Sequence, residues 1–170
     1  MDTFFEQIIS VKKTGKAVAA LIGIWLAAFV VCFLLFFTGF FGMLTFLLIA
    51  GVLYGAFKLS CLLNIEYEYI VTNGIMDIDK ITNKSSRKRV LSFELQTVSR
   101  IEKYNPSLLN SVNSKDVLIA CNQDDKDAYL MVSSTEGKGT NYLVFAPDER
   151  LRSAVVKFVP MFVANSAFKD

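Results

Sequence analysis

Residues 17–37 read AVAALIGIWLAAFVVCFLLFF, without one charged side chain. An α-helix rises about 1.5 Å per residue, so this stretch spans about 31 Å, the thickness of a bilayer core. The charge-free run continues to Phe57, about twice the length that a single span needs. We therefore predict a transmembrane hairpin over residues 17–58, with Thr38 and Gly39 supplying the turn.

Positive charge flanks this hairpin on one side only. Lys12, Lys13 and Lys16 precede the first span and Lys58 follows the second, whereas the turn between them carries no charge. Cytoplasmic flanks of membrane segments are enriched in Lys and Arg. We therefore expect a multi-pass protein of the cytoplasmic membrane, with its N and C termini both in the cytoplasm.

Two glycines of the second span lie four residues apart. Gly51 and Gly55 form a small-xxx-small pair, which lets helix backbones approach closely. The pair fits packing between the two helices of one hairpin. Homodimerisation through the membrane is the alternative, so the chain stays a candidate homo-oligomer.

The segment before the hairpin, residues 1–16, mixes apolar and polar side chains. Phe4, Phe5, Ile8 and Ile9 fall on one face of a helical projection. We predict a short amphipathic helix, which either lies in the headgroup region or docks on the rest of the chain.

From residue 64 onward the sequence alternates as β-strands do. Residues 65–72 read IEYEYIVT and place Glu66 and Glu68 on one face, where we expect them to meet solvent. Asn73 and Gly74 favour a two-residue hairpin turn. Seven strand-like runs are predicted in all, at residues 65–72, 74–79, 89–95, 98–104, 117–121, 128–133 and 142–146.

A helix follows the strands. Its first turn is acidic, with Asp148 and Glu149 after Pro147, and Pro160 is expected to kink or end it. Its apolar stripe would cover one end of the β domain and consists of Leu151, Val155, Phe158 and Phe162.

This order of four strands, three strands and a helix resembles a pleckstrin-homology-like (PH-like) barrel, in which two roughly orthogonal sheets are capped by the last helix. The resemblance is carried by YIVTNGIMDID at 69–79, RKR at 87–89 and LSFELQTVSRI at 91–101. These residues look like the opening of membrane-anchored bacterial PH-like domains, which also follow a pair of transmembrane helices. The whole chain also resembles an uncharacterised two-transmembrane protein family of Firmicutes.

The predicted fold is thus an α+β membrane protein. A two-helix transmembrane hairpin precedes a PH-like, seven-stranded β-barrel or sandwich with a C-terminal capping helix. The expected domains are an amphipathic N-terminal segment at 1–16, the hairpin at 17–58 and a cytoplasmic PH-like domain with its helix at 64–170.

The densest basic patch has no acidic residue within it and falls around a predicted loop at 82–88. The tight hairpin before it returns the chain toward the membrane, where anionic lipid attracts each basic residue by about 1 kcal/mol. We expect contact with anionic lipid, or else a solvated loop that only helps to set topology. The patch consists of Lys80, Lys84, Arg87, Lys88 and Arg89.

Phosphoinositide-binding PH domains use basic residues in a long loop between their first two strands. Here the corresponding connection is the tight turn at Asn73 and Gly74. Phosphoinositide recognition in that usual mode is therefore not expected.

No catalytic, cofactor or metal site is predicted. Histidine is absent, which removes the commonest general base and a common metal ligand. The three cysteines have no paired spacing, and Asp124, Asp125 and Asp127 lack the glycine and glutamate of a calcium-binding EF-hand loop.

A net charge of +2 gives no bulk signal for nucleic-acid binding. We expect a non-catalytic binding or scaffold module at the cytoplasmic membrane surface, with membrane lipid and an unknown protein as its partners. A structural subunit of a larger transport, secretion or envelope complex is the alternative, and an enzyme is not expected.

Overall fold

A computed structural model of the chain describes residues 3–39, 42–110, 112–122, 124–135 and 139–168. The chain divides into two compact units. A β-rich unit comprises Met1–Val11, Glu66–Ile81 and Arg87–Asp170, and a helical unit comprises Lys12–Ile65 and Thr82–Ser86. The chain therefore leaves the β-rich unit after its first strand, forms the helices, and returns.

The helices and strands of the described residues follow one another in this order: β1 (Phe4–Ser10), α1 (Gly15–Thr38), α2 (Leu44–Cys61), β2 (Ile65–Thr72), β3 (Ile75–Thr82), β4 (Ser86–Glu94), β5 (Val98–Lys103), β6 (Val117–Ile119), β7 (Tyr129–Thr135), β8 (Gly139–Phe145), α3 (Glu149–Phe158) and α4 (Met161–Ala164). Short 3-10 turns at Leu95–Thr97 and Pro106–Leu109 flank β5.

The N-terminal segment is a β-strand, so the predicted amphipathic helix is wrong. β1 pairs antiparallel with β2 along its whole length and ends with Ser10 opposite Glu66. Phe5 and Ile9 pack against the core, and exposed residues alternate with them, as the period of a strand requires. The apolar residues of β1 also fit one helical face, and only the pairing with a distant strand decides between the two structures.

The strands form two four-stranded sheets, in the orders β1-β2-β3-β4 and β5-β7-β8-β6. β7 pairs antiparallel with β5 and β8, whereas β6 pairs parallel with β8. All seven predicted strands are present, and β1 is the eighth. Two sheets followed by a helix fit an α+β PH-like fold, but the described strands do not close a barrel.

The start of α3 is fixed by its own cap and by β1. The Asp148 carboxylate accepts a hydrogen bond from the Leu151 N–H at 2.7 Å, which satisfies a backbone group that the helix leaves unpaired. The Gln7 side chain donates to the Ala146 carbonyl at 3.1 Å and accepts from the Asp148 N–H at 2.9 Å. β1 is thereby bonded to the residues that begin α3.

The C-terminal helix ends as predicted at Pro160, but its apolar stripe is shorter than predicted. α3 stops at Phe158, and α4 begins immediately after the proline. Leu151 and Val155 are buried, whereas Phe162 is 68% exposed and Val163 is buried instead. The break at Pro160 ends the helical period, so the extrapolation to Phe162 is wrong.

The helical unit contains a pair of apolar helices that pack on each other. Both α1 and α2 are long and apolar enough to cross a membrane. Their buried residues are small, at Ala28, Thr45 and Ala56, while large side chains such as Phe29 and Leu47 are each 70% exposed. Residues 40 and 41, where the second span was predicted to begin, lie outside the described residues.

We predict that the β-rich unit folds without the helices and that β1 contributes to its stability. Replacing residues 12–63 by a short glycine-rich linker joins the adjacent ends of β1 and β2 and should give a soluble, folded protein. A fragment that begins at Asn64 loses Phe5, Gln7 and Ile9, and we expect it to be less stable by about 2–4 kcal/mol. Urea unfolding followed by circular dichroism measures the difference. Equal midpoints would contradict the role of β1.

Candidate functional site

The predicted basic loop is mostly strand. Lys80 lies in β3 and Lys84 in the turn that follows, whereas Arg87, Lys88 and Arg89 all belong to β4. The loop prediction is wrong because the three residues at 83–85 suffice to reverse the chain. β4 is an edge strand, where exposed charged side chains also hinder unwanted strand pairing.

Arg87 is tied to a buried carboxylate. Its Nη2 lies 2.8 Å from Oε1 of Glu68, whose side chain has no exposed surface, although Arg87 itself remains 54% exposed. The prediction that Glu68 faces solvent is therefore wrong. An isolated carboxylate would be costly at this depth, and the guanidinium offsets part of that cost.

Arg89 makes a second link of the same kind. Its Nη1 lies 2.9 Å from Oδ2 of Asp77, and its Nε donates to Oδ1 of Asp79 at 3.1 Å. Two of the five basic residues predicted to contact lipid are therefore paired with acidic residues of β2 and β3. Their charge is largely compensated within the protein.

The electrostatic environment of Glu68 favours its protonated form. Burial raises the pKa of Glu68 above its ordinary value, and the nearby carboxyl group of Glu6 on the adjacent strand β1 raises it further. Arg87 lowers it, but by less than burial raises it. Glu68 Oε2 is buried and has no close hydrogen-bond partner in the described part of the chain.

Lys84 occupies a turn attached to the end of α2. Asn83 and Lys84 both have positive φ, and the Ser85 N–H donates to the Thr82 carbonyl at 3.2 Å. The Asn83 N–H donates to the Asn64 carbonyl at 2.9 Å, just beyond the last residue of α2. The turn therefore lies close to the point where the chain leaves the helical pair.

The glycine pair of α2 is not used inside the hairpin. A Cβ added at Gly51 or at Gly55 would meet no atom within 4 Å. Close packing of α1 on α2 through these glycines, one of the two interpretations of the pair, therefore gains no support. The open side of α2 at Gly51 and Gly55 stays compatible with contact to another helix.

Within the described part of the chain, the buried thiol of Cys121 and the acidic residues of the 124–127 turn do not form a reactive or metal-binding site. Burial raises the pKa of the Cys121 thiol to about 11, which keeps it protonated and unreactive at neutral pH. Among the residues that the structure describes, no cluster of His, Cys, Asp and Glu has the arrangement of a metal site. Asp127 instead lies 3.8 Å from Arg152.

Comparison with protein families supplies the classification. The sequence model of the family described as Bacterial PH-like domain (DUF6106) matches residues 1–165. The chain belongs to this family of bacterial PH-like domains. Searches of curated proteins and of solved structures found no match. The matched residues include β1 and both apolar helices.

Sequence reasoning missed the ion pairs of the PH-like sheet. Alternation in IEYEYIVT identified the face of Glu68 correctly but gave no information about what covers that face. The available signal was charge balance across strands, because Glu68, Asp77 and Asp79 on β2 and β3 match the arginines of β4. Acidic residues inside two strands, followed by arginines in the next, are typical of cross-strand ion pairs.

The Glu68–Arg87 pair gives a pH-dependent prediction. Because the folded PH-like sheet raises the pKa of Glu68, it holds this proton more tightly than the unfolded chain does. The contribution of the Glu68 carboxyl group to the free energy of unfolding should therefore fall as pH rises from about 4.5 toward its raised pKa in the folded protein. Glu68→Gln should remove that decline, as measured by urea unfolding across this pH range.

Arg87→Gln should cost about 1–3 kcal/mol at pH 7, because it leaves a buried carboxylate without its cation. The cost should shrink at lower pH and disappear when Glu68→Gln is added. Lys88→Gln on the same strand is the matched control and should change stability little. A cost of Arg87→Gln that is independent of pH, or undiminished in the double variant, would contradict the ion-pair account.

Proposed function

We propose that the protein is a non-catalytic, membrane-anchored binding module that presents its PH-like domain at the cytoplasmic membrane surface. The carrying observation is the pair of apolar helices inserted between the paired strands β1 and β2. Membership of the PH-like family supports a binding or scaffold role rather than catalysis.

The surface of the helical pair supports insertion into a bilayer. A core helix of a soluble protein would bury its large side chains, but Phe29, Phe37 and Leu47 are each at least 70% exposed in their unit. Contact of such surface with water is unfavourable by about 25 cal/mol per Å². Lipid removes that cost, and a helix satisfies its own backbone hydrogen bonds there.

Short connections would hold the PH-like domain near the bilayer. Four residues separate β1 from α1, and three separate α2 from β2. An extended chain covers at most about 3.6 Å per residue, so each connection reaches no farther than about 14 Å. The β-rich unit is thus tethered at two points rather than by one flexible linker.

The basic residues support an orientation with the PH-like domain inside the cell. Lys12, Lys13 and Lys16 lie before or at the start of α1, and Lys58 lies in the last turn of α2. Lys84 lies on the turn bonded to the segment after α2. Five lysines at one end of a helical pair match the positive-inside bias.

A structural subunit of a larger membrane complex is a second candidate. It is favoured by the open surface at Gly51 and Gly55, where the hairpin leaves room for a neighbouring helix. Purification in mild detergent separates the two candidates. An obligate subunit should co-purify with stoichiometric partners, whereas the binding module should be obtained alone or as a homo-oligomer.

Anchoring and orientation have a direct test. The protein should stay in the membrane pellet after alkaline carbonate extraction, because two spans hold it there. With the native cysteines replaced by alanine, Thr38→Cys should react with an impermeant maleimide added outside intact cells. A cysteine placed after Asp170 should react only after the cells are opened. Extraction by carbonate would contradict anchoring, and the reverse labelling pattern would contradict the orientation.

A further inference from the structure

Lys84 occupies a backbone conformation that its side chain disfavours. The turn between β3 and β4 has φ of 53° at Asn83 and 55° at Lys84. Asparagine tolerates this left-handed region and glycine is free in it, but a lysine Cβ is crowded there. This backbone conformation costs conformational free energy at Lys84. Within the described residues, no hydrogen bond or ion pair of the Lys84 side chain compensates for that cost.

The neighbouring turn of the same sheet has the residues that usually occupy turn positions with positive φ. Asn73 and Gly74 connect β2 to β3, and both have positive φ. Asparagine followed by glycine is the preferred pair for such two-residue turns. The chain thus has glycine at one turn and lysine at the equivalent place of the next. A strained residue that the fold does not require indicates a role for its side chain.

The turn that contains Lys84 is bonded to the segment at the end of α2. Asn83 N–H donates to the Asn64 carbonyl at 2.9 Å, and the Asn64 N–H donates to the Cys61 carbonyl at 3.1 Å. Cys61 is the last residue of α2. Two consecutive backbone hydrogen bonds therefore connect the Lys84 turn to the end of the helix that is proposed to leave the bilayer.

The other cations of the predicted patch are less suited to this contact. Arg87 and Arg89 are bonded to Glu68, Asp77 and Asp79. Lys80 is partly buried, and Lys88 is exposed but lies within β4 rather than on the turn that bonds to Asn64. From residue 64 to the C terminus the chain has as many basic as acidic residues, so this part has no net charge that would attract anions. Attraction to an anionic surface has to come from a particular place on the domain.

We propose that the Lys84 ammonium contacts the phosphate of an anionic lipid in the inner leaflet at the end of α2. The proposal rests on the membrane anchoring proposed above. A single ammonium without a helix N-terminus or a second donor is too little to hold free phosphate in solution. Next to a bilayer the same ammonium meets anions at a high local concentration, because the anchor keeps it there.

The test measures thermal unfolding of the PH-like domain in the full-length protein, inserted in nanodiscs of phosphatidylcholine alone or with added phosphatidylglycerol. Lys12, Lys13, Lys16 and Lys58 adjoin the anchor and stay near the lipid whether or not the domain is folded. Lys84 reaches the surface only in the folded domain. An anionic surface therefore stabilises the folded state through Lys84, and the melting temperature should rise with phosphatidylglycerol content.

Three variants of Lys84 distinguish the effect of its charge from the effect of its backbone strain on the melting temperature. Lys84→Asn keeps a residue that tolerates positive φ but removes the charge, and should lose most of the rise. Lys84→Arg keeps the charge and should retain it. Lys84→Gly should melt at a higher temperature than the parent in pure phosphatidylcholine, because the strain is gone, and should also lose the rise. Lys157→Gln, on the exposed side of α3, is the control and should behave as the parent does.

Salt gives an independent check, because raising it shortens the Debye length and should reduce the rise in the parent but not in Lys84→Asn. An equal rise in the parent and in Lys84→Asn would overturn the proposal, as would a rise that is insensitive to salt. Failure of anchoring is recognised separately, because the protein would then not co-elute with nanodiscs of either composition. Soluble phosphate at matched charge concentration should not raise the melting temperature, and a Lys84-dependent rise with phosphate would overturn the assignment to lipid.

Discussion

The pairing of β1 with β2 is the constraint on which the architecture depends. These strands are adjacent in the sheet but separated in sequence by the whole helical pair, and their last paired residues, Ser10 and Glu66, lie opposite each other. The hydrogen bonds between β1 and β2 therefore hold the two ends of the inserted helical pair together. Closing so long a loop costs conformational entropy, and the cost is offset by burying Phe5 and Ile9 and by bonding Gln7 to the start of α3.

The chain connects the helical pair to the β-rich unit through two short segments rather than through one linker. Both ends of the helical pair continue within a few residues into the paired strands β1 and β2. The outer face of the same sheet holds Glu68, buried against Arg87. A carboxyl group with a raised pKa at this place makes the stability of the sheet depend on pH, and the arginine limits that dependence.

Local patterns in the sequence were enough for the features that depend on local physics. A charge-free run of bilayer length predicts the apolar helices, and alternation with turn residues predicts β2 to β8. The features that were missed depend on distant partners. Phe4, Phe5, Ile8 and Ile9 fit a helix equally well until β2 is known to lie beside them. Glu68 has the appearance of a solvent-facing residue until Arg87 is placed over it, and the stripe through Phe162 assumed a helical period that Pro160 interrupts.

The helical pair is continuous with a sheet that includes the N-terminal strand β1. Hydrogen–deuterium exchange of the full-length protein in lipid nanodiscs tests this continuity most directly, because it reports on the strand and the helices together. The amides of β1 that bond to β2 should exchange as slowly as their partners in β2, and those of α1 and α2 should be protected by lipid. Exchange of the β1 amides at the rate of an unstructured peptide, beside a protected β2, would contradict the account.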